Sequence, residues 1–156
     1  MSRELLSRRN ALIGGGVVVL GAGAAFAGRS YVMRVSVEGD LLTPPEAHDH
    51  ATAGRITLVD IRRPDEWAET GVGEGAVPLD MRRLDFIAAL DKATGGDRTV
   101  PIALICARGV RSRKMTERLT DAGYTHIIDI PEGMLGSRAG PGWLKRGVPT
   151  VSYSDS

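Results

Sequence analysis

The sequence predicts an α/β domain: a central parallel sheet of about five strands, flanked by helices on both faces. Three observations predict it. Apolar runs of four to six residues alternate with stretches of helical period, the pattern of strands joined by crossover helices. Glycines and prolines punctuate the boundaries between them. The chain has 156 residues, 42% apolar, 25% charged and only 4% aromatic, which is the size and composition of one globular domain.

Residues 1–27 stand outside that domain. They open with a short basic stretch ending Ser7-Arg8-Arg9-Asn10, continue in an uncharged run from Ala11 that contains five glycines, and end on Ala25 and Ala27 as an A-x-A cleavage site. The Arg8-Arg9 pair before this run resembles the twin-arginine export signal, although Ala11 stands where such signals usually carry Phe. A retained membrane anchor is the alternative. The 17 residues from Ala11 to Ala27 fall short of the roughly 20 that span a bilayer, which favours cleavage after Ala27. This leader carries a net charge of +2, so the formal +1 of the whole chain becomes −1 from Gly28 onward. Such a balance excludes the positive field of a nucleic-acid binder, and a single cysteine excludes a disulfide scaffold or multi-cysteine metal site.

Residues 28–42 read as a linker or lead-in with weak alternation over Tyr31 to Val37. The domain proper is expected over 43–151, with 152–156 as a tail. Thr43-Pro44-Pro45-Glu46 starts a helix, Thr43 as N-cap and Pro44 at the first helical position, and Gly54 is placed to end it. Ile56–Ile61 is a buried strand and Pro64–Glu69 a short helix. Ala76–Leu79 is a short strand before an amphipathic helix over Leu84–Ala93, with Leu84, Ile87, Ala88 and Leu90 on one face. After a Gly95-Gly96-Asp97 turn, Pro101–Ile105 is a second buried strand, Val110–Ala122 a helix capped by Gly123, and Thr125–Ile130 a third strand. Trp143–Arg146 is assigned to a last helix.

Chemistry concentrates where the central strand ends. In open parallel sheets the binding crevice lies beyond the carboxyl ends of the strands, and Cys106 sits there, followed by Ala107-Arg108-Gly109-Val110-Arg111-Ser112. A loop passing from strand to helix turns backbone N–H groups toward one point, and Gly109 permits the tight geometry this needs. Such a cradle favours an anion at its centre, a thiolate included, and Arg108 and Arg111 strengthen the effect. Arg111 is the favoured anion clamp because it closes the loop at the start of the helix. Asp60, at the end of the first strand, is placed to brace either a loop arginine or Arg62. Trp67 and Trp143 read as core. His48 and His50 do not share a helix face, so they read as solvated rather than as a metal pair, and Arg62-Arg63 and Arg82-Arg83 as exposed charges.

Cys106-x-x-Gly109-x-Arg111-Ser112, with Leu58-Val59-Asp60-Ile61-Arg62 through Trp67 before it and Glu132-Gly133-Met134, Gly142-Trp143 and Gly147-Val148-Pro149 after it, resembles the rhodanese family of sulfurtransferases. The resemblance covers about residues 42–151, one complete rhodanese-like domain. It departs at Val72, where the family commonly has His after Gly. The six positions from Cys106 to Arg111 match family members acting on sulfur, whereas the related phosphatases and arsenate reductases have a loop one residue longer.

The resemblance implies a two-step covalent transfer. Cys106 takes sulfane sulfur from a small sulfur-containing anion such as thiosulfate, sulfite leaves, and the resulting persulfide passes its sulfur to a thiol, a protein acceptor or cyanide. No metal or organic cofactor is needed, and no nucleic acid is a partner. The leader implies export by the twin-arginine machinery to the periplasm, or inner-membrane anchoring facing the periplasm if it is retained. The alternative function is a non-catalytic rhodanese-fold binding module or a persulfide carrier for a partner protein.

Overall fold

In the computed structural model, residues 41–154 are described. The leader and most of the lead-in lie outside them. Helix α1 (Pro44–Thr52) begins as its sequence dictates: the Glu46 carboxylate accepts from the Thr43 N–H at 2.9 Å and the Thr43 hydroxyl at 2.6 Å. Then follow β1 (Thr57–Asp60), α2 (Pro64–Thr70), β2 (Val72–Gly73), β3 (Ala76–Pro78), α3 (Phe86–Ala93), β4 (Ile102–Ile105), α4 (Val110–Asp121), β5 (Ile127–Asp129) and β6 (Thr150–Val151).

Among the described residues four strands form the central parallel sheet, in the order β3-β1-β4-β5. Beside β5, Leu41 makes a parallel bridge to Asp129, and the Leu42 N–H donates to the Asp129 carbonyl at 3.0 Å. Strands β2 and β6 pair antiparallel as a separate two-residue ribbon. The strands alternate side chains between two cores. Leu58, Ala103, Ile105 and Ile128 pack with Ala47 and Trp143 on one face, while Val59, Ile102, Leu104 and Cys106 pack with Phe86, Leu90, Met115 and Leu119 on the other. Helices therefore cover both faces, as expected.

Two local expectations are corrected. Trp143–Arg146 forms consecutive turns rather than a helix, because Gly142 and Gly147, both at positive φ, bracket a segment too short to propagate one. Leu84 is fully exposed ahead of α3; Phe86 and Leu90 supply the buried face instead.

The strand order sets the position of the site. The chain steps from β1 outward to β3, then α3 carries it back across β1 to β4, so the direction of winding reverses between β1 and β4. The Ile61 N–H donates to the Ile105 carbonyl at 2.9 Å and keeps the ends of these strands adjacent. A crevice at such a reversal is the preferred binding place of an open parallel sheet.

Candidate active site

Cys106 emerges from β4 into this crevice with only 1% of its surface exposed. The Gly109 N–H donates to its Sγ at 3.1 Å, and the thiol donates to the Ser112 Oγ at 3.6 Å. The Ser112 hydroxyl donates in turn to the Gly109 carbonyl at 3.2 Å, so residues 106–112 close around the sulfur. Gly109 has φ +77°, and a Cβ there would run into the Pro131 carbonyl, which leaves glycine as the residue that fits. The 131–136 loop forms the outer wall. Met134 and Leu135 donate their N–H groups to the Cys106 and Ala107 carbonyls, each at 2.9 Å.

The two arginines of the loop have different surroundings. Both terminal nitrogens of Arg111 donate to the Glu66 carboxylate, at 2.7 and 2.6 Å. Arg111 holds the Glu66 carboxyl below the usual carboxylate range, and Glu66 raises the guanidinium in return. Arg108 is exposed at the mouth, with one long hydrogen bond, 3.4 Å, to the Gly136 carbonyl. Arg111 thus fixes the shape of the loop, and Arg108 is the cation open to an entering anion. Ala107 is buried, and Val110, 54% exposed, adds an apolar edge.

Of the two sequence readings of Arg62, an exposed charge or a residue that Asp60 braces, the structure shows the second: Arg62 is buried, 1% exposed, against a fully buried Asp60. Its Nε and Nη2 grip the Asp60 carboxylate at 3.0 and 2.7 Å; its remaining N–H groups reach the carbonyls of Glu66 and Gly71 and the Thr70 hydroxyl. All five guanidinium N–H groups are used, which makes burial of the charge tolerable. The pair ties α2 to the end of β1, α2 presents Glu66, and Glu66 holds Arg111.

Sequence reasoning did not single out Glu66. Its signal was available, since Glu66 stands three residues after the residue preceding the helix and accepts the Arg63 N–H at 3.1 Å, the capping-box position. Nor did it find the clip in which Arg146 donates to both oxygens of the buried Glu132 at 2.7 Å, because fourteen residues separate the partners. Trp67 and Trp143 are core residues. His48 Nε2 lies 2.8 Å from Glu74 Oε2, while His50 Nδ1 accepts from Arg55 Nε at 2.7 Å, so the two imidazoles serve different partners. Among the described residues no group of three His, Cys, Asp or Glu side chains is placed to hold a metal ion. Val72, where the family usually has His, is buried in β2 opposite Val151.

Residues 43–138 match the family described as "Rhodanese-like domain". The chain belongs to the rhodanese family. Among curated relatives, the chloroplastic thiosulfate sulfurtransferase 16 of Arabidopsis thaliana is 30% identical over 113 residues, which are 67% of this chain and 86% of that protein. The tRNA uridine(34) hydroxylase of Chlamydia abortus is 26% identical over 114 residues, 69% of this chain and 34% of that protein. The rhodanese chain thus spans about a third of the length of that hydroxylase. The solution structure of the polysulfide-sulfur transferase homodimer of Wolinella succinogenes superimposes with a TM-score of 0.57 at 24% identity, covering 84% of this chain and 90% of that one. Together these establish a rhodanese-like fold and membership of a sulfurtransferase family.

Proposed function

We propose that this rhodanese is an exported sulfurtransferase that loads sulfane sulfur from a small anion such as thiosulfate onto Cys106 and delivers it to a thiol or cyanide acceptor. The observation that carries this reading is the Gly109 N–H aimed at the Sγ of Cys106 from 3.1 Å, in a loop closed by Ser112 and anchored through Arg111. A backbone donor fixed before reaction stabilises a sulfur anion without reorganisation. Arg108 at the mouth attracts the donor anion.

In the first half-reaction the sulfur of Cys106 attacks the outer sulfur of thiosulfate, the S–S bond of the donor breaks, and sulfite leaves with the electron pair. In the second, an acceptor attacks the outer sulfur of the persulfide and regenerates Cys106, giving ping-pong kinetics. Neither half needs a redox cofactor. The twin-arginine leader supports delivery to the periplasm. Cell fractionation checks this arm: replacing Arg8 and Arg9 together by Lys is expected to leave the protein in the cytoplasm, and unaltered export would overturn that route.

Intact mass after incubation with thiosulfate tests the chemistry. Wild type is expected to gain one sulfur atom with stoichiometric sulfite release, and Cys106→Ser to gain none. No gain by wild type, or a gain retained by Cys106→Ser, rejects the reading in favour of a non-catalytic binding module.

A further inference from the structure

The C-terminal segment lies past residue 138, where the match to the family ends, and it closes on α2. β6 runs antiparallel to β2, with Val72 opposite Val151 and Gly73 opposite Thr150. The Pro149 carbonyl, one residue earlier, accepts from the Glu74 N–H at 3.0 Å and from Trp143 Nε1 at 2.9 Å, so the segment is fixed before it reaches the helix. At Gly71, which ends α2, a Cβ would come within 2.8 Å of the Val151 carbonyl. Glycine permits that approach. Two residues on, the Tyr153 ring packs on the Trp67 indole, with centroids 5.0 Å apart and planes at 60°.

Trp67 is 3% exposed, and its Nε1 is buried without a hydrogen-bond partner. Packing alone therefore sets the position of the indole, and Tyr153 supplies one wall of its seat. Helix α2 has only seven residues, too few to be stable by itself, so its contacts decide where it lies. Arg62 grips its end through the Thr70 hydroxyl and the Gly71 carbonyl. Glu66 and Trp67 are consecutive in the same turn, so a rotation of the helix about its axis moves both, and the seated indole resists it. Glu66 tolerates little rotation. Its carboxylate meets both terminal nitrogens of Arg111, at 2.7 and 2.6 Å, a forked contact that needs the two groups aligned.

We propose that Tyr153 is a positioning residue for the reaction at Cys106: by seating Trp67 it fixes the rotation of α2, and with it the forked Glu66–Arg111 contact that closes the 106–112 loop. The inference rests on the sulfur-transfer reading of Cys106. Tyr153 acts on the chemistry through α2, and the Gly109 N–H on Sγ is the last link of that chain of contacts.

Two measurements on the full chain test this: the rate of sulfur loading by intact mass across thiosulfate concentrations, and hydrogen exchange of the Gly109 amide by NMR. Tyr153→Ala is expected to lower the maximal loading rate about fivefold and to leave the half-saturating thiosulfate within about twofold, because Arg108 at the mouth is not displaced. Exchange of the Gly109 amide should quicken by about the same fivefold factor as its bond to the sulfur loosens. Tyr153→Phe should restore both rates, since it keeps the ring that packs on Trp67. A chain ending at Ser152 removes the same ring with β6 intact and should match Tyr153→Ala, and circular dichroism of each variant verifies folding. In a Glu66→Gln background Tyr153→Ala should add no further loss of loading, because its effect passes through Glu66. Wild-type loading and exchange in Tyr153→Ala, a loss confined to half-saturation, or a loss that multiplies with that of Glu66→Gln would overturn the proposal. Exchange separates the two readings: a wild type that gains no sulfur, with Gly109 exchange still quickened by Tyr153→Ala, rejects sulfur transfer and keeps the positioning role of Tyr153.

Discussion

The residue with the widest influence on the loop is Glu66, which never touches the sulfur. It fixes both ends of the Arg111 guanidinium, and Arg111 closes the turn that aims the Gly109 N–H at Cys106. Removing the carboxylate charge leaves a half-buried arginine short of its partner. Glu66→Gln should therefore cost about 1–2 kcal/mol in urea unfolding, the low end for a charged hydrogen bond because solvent reaches Arg111. Persulfide formation should slow by at least about tenfold, since the donor to sulfur loses its support. Equal thiosulfate turnover in the variant and wild type would show that Arg111 holds the loop without Glu66. Gly109→Ala is more severe. Left-handed backbone strain adds about 1–2 kcal/mol, and the collision with the Pro131 carbonyl must be relieved by moving one wall of the site. Loss of sulfur loading with a retained fold is the expected pattern, checked by intact mass beside circular dichroism.

Among the elements, α2 links the strand end to the loop, and the buried Asp60–Arg62 pair is what holds it. Arg62→Met keeps the apolar stem but leaves the buried Asp60 carboxyl without its guanidinium partner, a change of about 3–5 kcal/mol by denaturant titration. Replacing both partners by apolar residues should recover much of that loss, and failure to recover would locate the effect in the Thr70 and Gly71 contacts instead. The elements themselves were readable from local sequence. Thr43-Pro44-Pro45-Glu46 and the apolar run before Cys106 state their structure within a few residues, and α1 and β4 form within a residue or two of the expected bounds. What escaped is non-local. Arg62 looked exposed because burial of a guanidinium depends on acceptors from the far end of α2, and Arg111 looked like a free clamp because Glu66 lies 45 positions earlier. The Trp143–Arg146 segment failed for the opposite reason, a local one: the flanking glycines at positive φ dominate so short a stretch. Cys106, Gly109 and Ser112 come together in one loop because adjacent sequence builds it.

Across the whole molecule, stability should depend on pH through two groups of carboxyls with opposite sign. Arg111 and Arg146 depress Glu66 and Glu132, so these pairs contribute stability that is complete above the unfolded glutamate value, about 4.3, and lost as pH falls through the lower folded values. Asp129 behaves in reverse. Its folded value is raised, so its contribution is complete below the unfolded aspartate value, about 3.9, and is lost as pH rises through the folded value. Asp129→Asn removes that loss. Chemical denaturation of the variant and wild type should agree near pH 3.5 and diverge as pH rises to 7, with the variant the more stable by about 1 kcal/mol, the scale of a buried acceptor without a partner reduced by solvent in the groove. A difference that is constant with pH would mean the substitution acts through packing rather than ionisation.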